Sequence, residues 1–247
     1  MNLNILLCGA GGRMGRAISS ISEENGCTIS YPVDLGDNPK DGIDSCDVVI
    51  DFSLREATLP LARISAEAGK PMIIGTTGHQ PNEKSDIEKL SSQIPMVWAG
   101  NFSTGVNLLF YLTEQAARVL NAESDFDPEV IEMHHRLKQD APSGTADRLL
   151  EILKESRALN DENVAHGRNG MVGERPSREI GSHALRGGDV VGDHTVFFAG
   201  MGERIELTHR ATDRSIFAAG ALRAAKWVVD RDPGLYSMQD VLGLSSS

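Results

Sequence analysis

Residues 4–15 read NILLCGAGGRMG, a short apolar run that ends in a cluster of glycines. The apolar run predicts a buried strand, and GRMGRAISSISEE after it predicts a helix. Glycines at 9, 12 and 15 follow the spacing G-x-x-G-x-x-G, whereas the strict dinucleotide fingerprint would place a glycine where Met14 stands. A strand, a tight turn and a helix N-terminus still give the close backbone approach and the N–H groups that bind a pyrophosphate. This stretch therefore predicts a dinucleotide-binding fold.

Outward from this turn, the first hundred residues alternate short apolar runs with amphipathic stretches. Further strands are predicted in CTISYPVD, DVVIDFS, PMIIGTT and PMVWAGNFS, and a helix in REATLPLARISAEAGK with Gly69 as its stop. Such alternation is typical of βαβ units. The predicted fold class is α/β, with a Rossmann-type doubly wound parallel sheet. A long helix follows from about Thr104 to Leu120.

After Asp127 the pattern changes to that of an α+β domain. Strands are predicted in PEVIEMHH, EIGSHAL, HTVFFAG and MGERIELTH, a helix in SGTADRLLEILKESRAL, and a charged, glycine-rich loop in residues 167–178. These strands predict a second, mixed or antiparallel sheet. The Ala-rich helix SIFAAGALRAAKWVVD is expected to return to the first domain. We expect a dinucleotide-binding domain in residues 1–102, completed by residues 214–247, and a second domain in residues 103–213.

Composition limits the classes of function. The formal net charge of −11 argues against general nucleic-acid binding, which needs a broad basic surface, but it permits a local pocket for a small anion. Three cysteines without CxxC spacing (Cys8, Cys27 and Cys46) are interpreted as reduced core residues. The N-terminus lacks the pattern of a signal peptide, and no apolar run is long enough to span a membrane. We expect a cytoplasmic protein with no membrane partner.

The second predicted strand ends at Asp34, near the position where dinucleotide-binding folds place an acidic residue for the ribose hydroxyls. Its carboxylate would repel a 2′-phosphate, and Leu35 supplies no cation beside it, which favours NADH. Arg13 and Lys40 could reach such a phosphate, so NADPH stays an alternative. Two more loops, GTTG at 75–78 and AGNFS at 99–103, follow strands at the same predicted sheet edge. Asn101 in the second loop is a candidate partner for the nicotinamide carboxamide.

A basic cluster lies in residues 132–147, EMHHRLKQDAPSGTAD, and consists of His134, His135, Arg136 and Lys138. Ser143 is a candidate N-cap of the following helix. The first amides of that helix, at Gly144 and Thr145, would hold a carboxylate with help from the helix dipole. The segment predicts a site for a small acid that is protonated during its reaction.

The basic cluster permits two other interpretations. One is a run of solvated charges without a binding role. In addition, adjacent histidines on a strand point to opposite faces, so at most one of the two would reach a given site. A metal site is the other, but no cysteine or carboxylate stands at a ligand spacing such as HExxH. We therefore predict no metal.

The segment EMHHRLKQDAPSGT resembles the signature E-x-H-H-x-x-K-x-D-A-P-S-G-T of the 4-hydroxy-tetrahydrodipicolinate reductase family, long called dihydrodipicolinate reductase. Every fixed position matches, and GAGGRMG, IIGTTG and the tail from RGGDVVGDHTVFF to GALRAA are also similar to that family. AGNF stands where the family has Ala-Ala-Asn-Phe or Ala-Pro-Asn-Phe. The segment between Asp34 and Cys46 is short, which leaves the choice of cofactor open.

The resemblance implies a reductase of the diaminopimelate and lysine pathway, with NADH or NADPH as hydride donor and a small cyclic dicarboxylate as substrate. It implies that His134 is the general acid/base, that Lys138 protonates the ring nitrogen, and that His135, Gly144 and Thr145 bind the substrate. It also implies a homotetramer built through the sheet of the second domain. The implied cofactor contacts are Gly9, Ala10, Gly11, Gly12, Arg13, Met14, Asp34, Gly75, Thr76, Thr77, Ala99, Gly100, Asn101 and Phe102.

Two rival functions remain open at this point. One is a different two-domain reductase that acts on a semialdehyde by covalent catalysis, which requires a nucleophilic cysteine. The other is a dinucleotide sensor without turnover.

Overall fold

The computed structural model describes residues 2–120 and 125–244. Contacts divide the chain into two compact units, Met1–Thr104 with Arg214–Ser247, and Gly105–Asp213. Of the domain ranges predicted from the sequence, residues 1, 121–124 and 245–247 lie outside the described part.

The strands in chain order are β1 (Leu3–Cys8), β2 (Cys27–Val33), β3 (Val48–Asp51), β4 (Met72–Ile74), β5 (Pro95–Trp98), β6 (Asp127–His134), β7 (Val164–His166), β8 (Ile180–Arg186), β9 (Gly192–Ala199), β10 (Arg204–Ala211) and β11 (Gly234–Tyr236). The α-helices are α1 (Arg13–Ile21), α2 (Arg55–Glu67), α3 (Pro81–Leu90), α4 (Thr104–Val119), α5 (Gly144–Arg157), α6 (Ser215–Val228) and α7 (Met238–Leu242).

The first unit is built on a six-stranded sheet of order β11-β5-β4-β3-β1-β2 in which every pairing is parallel. Its central strands are apolar at successive positions because both faces are covered. On one face Ile5 and Leu7 pack with residues of α1 and α6, and on the other Leu6 packs with residues of α2 and α3. The predicted Rossmann-type sheet is confirmed.

The second unit contains a five-stranded sheet of order β10-β9-β6-β8-β7. Strand β9 is antiparallel to β10 and to β6, whereas β6, β8 and β7 run parallel, so the predicted mixed sheet is also confirmed. Burial alternates strictly along β6 and β9, and the buried positions pack against apolar residues of α4 and α5. Side chains of successive strand residues point to opposite faces, so this sheet covers its core with one face only.

Four elements have no counterpart among those predicted from the sequence: α3, β7, β11 and α7. Helix α3 is almost entirely polar and buries one residue, Ile87, which leaves little hydrophobic periodicity to detect. The two strands are three residues long and α7 is five, all shorter than the windows over which periodicity is measured.

The three cysteines are buried and unpaired, as expected, and burial raises the pKa of the Cys27 and Cys46 thiols. Within residues 2–120 and 125–244, no helix combines the length and the apolar character that crossing a bilayer would require.

Helix α6 lies in the first unit and contacts α1, β3, β4 and β5. Its Gly220 stands directly against the backbone of the β5–α4 connection, because a Cβ there would lie 1.8 Å from the carbonyl oxygen of Phe102. The glycine therefore sets how closely α6 approaches the loop that contains Asn101 and Phe102.

We expect Gly220→Ala to lower the free energy of unfolding by about 2 kcal/mol or more, because backbone cannot move aside as a side chain would. Higher intrinsic helix propensity of alanine offsets at most about 1 kcal/mol of this loss. Arg223→Ala on the exposed face of the same helix is the matched control and should change the stability by about 0.5 kcal/mol or less. Thermal and urea unfolding measure both variants, and equal stabilities would contradict the close packing at Gly220.

Candidate active site

The glycine turn after β1 is fixed by contacts that exclude side chains. Gly9 has φ of +78°, and a Cβ on it would lie 2.3 Å from the carbonyl oxygen of Phe52. Gly15, in the first turn of α1, would place a Cβ 2.2 Å from the carbonyl oxygen of Gly9 and 2.5 Å from that of Ala10. Helix α1 therefore begins directly against the strand end, which is what a dinucleotide-binding turn requires.

Asp34, one residue after β2, lies beside this turn. Its two carboxylate oxygens are 3.0 and 2.9 Å from the backbone nitrogen of Gly11, which donates to them. Asp34 in turn donates its backbone N–H to the carboxylate of Asp37 at 2.9 Å. The structure thus brings together two groups that the sequence analysis assigned to the cofactor, the glycine turn and the acidic residue after β2.

A cavity of about 530 Å³ opens next to the turn. Glycine-turn residues line it together with the acidic Asp34–Asp37 segment, the loop after β3 and apolar residues of α2. Among the described residues that line it there is no Lys, Arg or His. Lys40, considered above as a phosphate partner, instead lies with its Nζ 3.5 Å from a carboxylate oxygen of Glu67.

The loops after β3 and β4 are joined by hydrogen bonds. Asp51 is fully buried at the end of β3 and accepts hydrogen bonds from the backbone N–H of Ser53 at 3.0 Å and from the Thr58 hydroxyl at 2.6 Å. The same Ser53 N–H lies 3.1 Å from the hydroxyl oxygen of Thr76. These bonds hold the GTTG loop, which contains Thr76, against the loop after β3.

Phe52 connects this pair of loops to the one after β5. A Cβ on Gly75 would lie 2.2 Å from the Phe52 ring, and that ring packs edge-on against Phe102 with centroids 5.6 Å apart. Beyond Phe102, the side-chain oxygen of Asn101 accepts from the backbone N–H of Ser103 at 2.9 Å. A Cβ on Gly100 would lie 4.0 Å from Thr77 Cγ2. The predicted contact segments 75–77 and 99–102 are therefore neighbours at the carboxyl edge of the sheet.

In the second unit, the end of β6 carries a buried acid and a buried histidine. Alternation along the strand places Glu132 and His134 on the buried face, and the side chains are hydrogen bonded through His134 Nδ1 and Glu132 Oε2. Arg186 at the end of β8 donates to both Glu132 oxygens, from Nη1 at 3.0 Å and Nη2 at 2.8 Å. The backbone N–H of Ser143 donates to Glu132 Oε1 at 3.2 Å.

The surroundings of Glu132 stabilise its charged form. Burial alone would raise its pKa, but the hydrogen bonds from His134 and Arg186 outweigh burial and lower the pKa to about 2. Near it, burial and the neighbouring His134 lower the pKa of His194 to about 3, so His194 is neutral at physiological pH. The His134 and His194 rings meet edge to face, with centroids 5.1 Å apart and planes at 73°.

The loop after β6 carries His135 and Lys138. The sequence predicted a strand through His135, whereas β6 ends at His134, because from here the backbone turns: Lys138 donates its N–H to the carbonyl of His135 at 3.1 Å. Lys138 Nζ lies 2.9 Å from a carboxylate oxygen of Asp140. Arg186 also donates to the carbonyl oxygen of Asp140 at 2.7 Å, which ties the Lys138 loop to the Glu132 carboxylate.

Helix α5 begins where the sequence predicts it. Ser143 is its N-cap, and its hydroxyl oxygen accepts from the backbone N–H of Ala146 at 3.3 Å and lies 3.2 Å from His194 Nε2. Gly144 and Thr145 are the first two helical residues, so their amides point out of the helix end. A Cβ on Gly144 would meet no heavy atom within 4 Å, which leaves space for a ligand to approach the backbone.

Both units match models of one protein family. Residues 3–102 match the model of the dihydrodipicolinate reductase N-terminus, and residues 105–242 match that of its C-terminus. The chain belongs to the dihydrodipicolinate reductase family. The resemblance stated for residues 132–145 is thereby confirmed.

Proteins of this family match the chain over nearly its full length. A protein of Akkermansia muciniphila named 4-hydroxy-tetrahydrodipicolinate reductase is 51% identical over 98% of this chain and 99% of its own length. The protein of the same name from Geobacter metallireducens is 42% identical over 98% of this chain and 99% of its own. A solved structure, a dipicolinate-bound dihydrodipicolinate reductase from Paenisporosarcina sp. TG-14, has the same fold with a TM-score of 0.79 at 22% identity, covering 97% of this chain and 99% of that one.

Three residues of this family member's site were not singled out from the sequence: Glu132, Arg186 and His194. Strand alternation could have found Glu132, since it lies two residues before His134 and must share its face. Arg186 and His194 are brought in by strand register alone, which pairs His134 with Arg186 and Glu132 with His194. Among the described residues, no cluster of three or more His, Cys, Asp or Glu side chains is arranged to hold a metal ion.

We expect Gly15→Ala to weaken binding of the pyridine nucleotide by about tenfold or more, because the added Cβ must push α1 away from the turn at Gly9 and Ala10. Ser20→Ala on the exposed side of α1 is the control and should bind the nucleotide as the parent does. Fluorescence titration with NADH gives the Kd of each variant. An unchanged Kd in a folded Gly15→Ala protein would show that this turn does not hold the nucleotide.

Proposed function

We propose that this chain reduces dehydrated 4-hydroxy-tetrahydrodipicolinate to tetrahydrodipicolinate with a hydride from NADH or NADPH, in the diaminopimelate and lysine pathway. The observation that carries the proposal is that one buried carboxylate binds His134 and the start of α5 and, through Arg186, holds the loop that bears Lys138, in a chain that belongs throughout to the dihydrodipicolinate reductase family. Full-length identity of 51% to a protein named for this activity supports it.

The first unit offers a fitting site for the nucleotide. Backbone amides at the start of α1 suit the pyrophosphate, and the Asp34 carboxylate at the rim of the cavity suits hydroxyl groups that donate hydrogen bonds. Loop residues 75–77 and 99–102 then form the edge where the nicotinamide would bind. When bound, the nucleotide supplies the hydride, and the chain's part is to bind and orient it.

The cavity favours NADH over NADPH. A 2′-phosphate would lie near Asp34 and Asp37, and no cation among the described lining residues would offset their repulsion. Of the two candidate cations, Lys40 is directed to Glu67 and Arg13 is not among the described residues that line the cavity.

The second unit supplies the proposed binding site for a carboxylate of the substrate. One substrate carboxylate would accept from the amides of Gly144 and Thr145, where the helix dipole adds to the attraction. His135, which directly follows β6, is the other residue that we assign to substrate binding. These assignments agree with the substrate-binding residues implied by the family motif.

Lys138 and His134 are the proposed proton donors. Hydride adds at the carbon end of the conjugated C=C–C=N system, the electron pair moves to the ring nitrogen, and that nitrogen takes a proton. We assign this proton to Lys138, whose ammonium has three N–H donors and uses one on Asp140. His134 orients or protonates the substrate through its second ring nitrogen, since Nδ1 is engaged with Glu132.

The rival functions have less support. Covalent catalysis on a semialdehyde needs an accessible thiolate, whereas all three cysteines are buried in the first unit. A homotetramer through the second sheet and a cytoplasmic location stay predictions from the resemblance and from composition. Sedimentation analysis tests the first of these.

The deciding experiment is oxidation of NADH followed at 340 nm while the synthase that makes the unstable substrate supplies it in the same cuvette. Turnover that requires both the synthase and this chain supports the reductase. Binding of NADH without turnover would instead identify a dinucleotide sensor.

We expect Lys138→Ala and His134→Ala each to lower kcat by about 10²–10⁴-fold, the usual contribution of general acid catalysis, while the Kd for NADH stays within about twofold. Lys154→Ala is the matched control, because Lys154 on α5 pairs with Asp161 beyond the end of that helix and has no assigned role. Steady-state kinetics in the coupled assay measures the effect. Parent activity in both variants would remove their assigned roles.

We expect Asp34→Asn to shift the ratio of the NADPH and NADH dissociation constants toward NADPH by about tenfold, because one charge that repels the 2′-phosphate is lost. Asp41→Asn, whose carboxylate accepts from Asn38 instead, should leave the ratio unchanged. Fluorescence titration with both nucleotides compares the two variants. An unaltered ratio in Asp34→Asn would place the adenosine ribose elsewhere.

A further inference from the structure

We propose that Glu132 and Arg186 are positioning residues: together they hold His134 in the tautomer with a proton on Nδ1, so that Nε2 is the ring atom presented to the substrate. The catalytic consequence rests on the proposed reductase function. The tautomer itself can be observed without any substrate.

The hydrogen bonds around Glu132 determine which partner donates. Arg186 donates two N–H groups to the carboxylate, at 3.0 and 2.8 Å, and Ser143 donates its backbone N–H at 3.2 Å. A carboxylate with these three donors is held ionised, in keeping with its pKa of about 2. An ionised carboxylate only accepts, so the bond to His134 requires the proton to be on Nδ1.

The other ring nitrogen, Nε2, makes no bond to Glu132 and lies beside Gly192 at the start of β9. A Cβ on Gly192 would lie 2.9 Å from Nε2, closer than real Cβ atoms come, so only a glycine fits beside this nitrogen. His194 packs edge-on against the same ring, and it is uncharged. Neutral His134 therefore has Nε2 as its one lone-pair nitrogen, and protonated His134 has Nε2–H as the proton to give.

Arg186 gives this arrangement its rigidity. Its guanidinium binds Glu132 with two parallel hydrogen bonds, and the same Nη2 donates to the Asp140 carbonyl at 2.7 Å. The pair thus fixes the carboxylate that orients His134 and the loop that bears Lys138. A lysine at position 186 would keep the charge but lose the two-pronged geometry.

Glu132→Gln is the sharpest test, because it removes the charge and keeps the shape. Arg186 Nη2 and the Ser143 N–H, which both donate to Oε1, would take the amide oxygen of the glutamine, which leaves its NH₂ group at the Oε2 position, facing His134 Nδ1 and Arg186 Nη1. That nitrogen must then accept, so the tautomer changes from Nδ1–H to Nε2–H. NMR correlation of ring protons with imidazole nitrogens, on the full chain above pH 8 without ligand, reports the tautomer, and His134→Gln identifies the signal among the seven histidines.

We expect the parent to show Nδ1–H at His134, and Glu132→Gln to show Nε2–H with kcat lowered by about 10²–10⁴-fold and the Kd for NADH within about twofold. Glu132→Asp, which keeps the charge, should recover the Nδ1–H tautomer and part of the kcat.

Glu129→Gln is the matched control. Glu129 lies on the same strand, three residues earlier and on the opposite face, and binds Arg168 and Arg175 as Glu132 binds Arg186. It should lose stability as Glu132→Gln does, yet keep the kcat and the His134 tautomer.

Three results would overturn the proposal: Nε2–H at His134 in the parent protein, an unchanged tautomer and kcat in Glu132→Gln, or an equal loss of kcat in Glu129→Gln at equal loss of stability. The first needs no variant to fold. Failure of the parent to turn over the substrate would overturn the reductase function instead and leave the tautomer measurement standing.

Discussion

One buried carboxylate, that of Glu132, connects three elements of the second unit. Glu132 is 1% exposed, and an unpaired charge at such a place would cost several kcal/mol. Its partners come from three elements: Arg186 from the end of β8, Ser143 from the cap of α5, and His134 from its own strand. The hydrogen bonds to one buried charge therefore fix the start of a helix, the end of a parallel strand and a histidine ring in one arrangement, which is the one that the proposed chemistry uses.

In the first unit, aromatic packing positions the loops together with the hydrogen bonds of the buried Asp51. Phe52 stands at the centre: its carbonyl blocks any side chain at Gly9, its ring blocks one at Gly75, and its edge meets Phe102. Three strand-end loops that bear the predicted cofactor contacts are thus positioned by one aromatic residue. The glycines of the turn are required by this internal packing even before a nucleotide binds, so their presence alone is weaker evidence of a ligand than the fingerprint suggests.

What the sequence predicts here is what local pattern encodes. The apolar runs of β1 to β5, the alternation of β6 and the Ser143 cap are all properties of neighbouring residues, and each was located to within a few positions. The partners of His134 were not located, because Arg186 and His194 lie more than fifty residues away and only the register of β8 and β9 brings them in. Position along the chain likewise suggested that Lys40 could meet a phosphate, whereas its side chain turns to Glu67 on α2.

The negative net charge of the chain is compatible with an acidic substrate, because only the charges close to the proposed site affect binding strongly. At physiological ionic strength the Debye length is about 8 Å, so most of the net charge of −11 is screened from the site. Close to His134, the negative charge of Glu132 is balanced by its ion pair with Arg186, and the positive charge of Lys138 is balanced by its ion pair with Asp140. The positive end of the α5 dipole then adds a local attraction for an anion. A diacid is therefore attracted by the few groups within reach of it, and the remaining acidic surface has little influence on its binding.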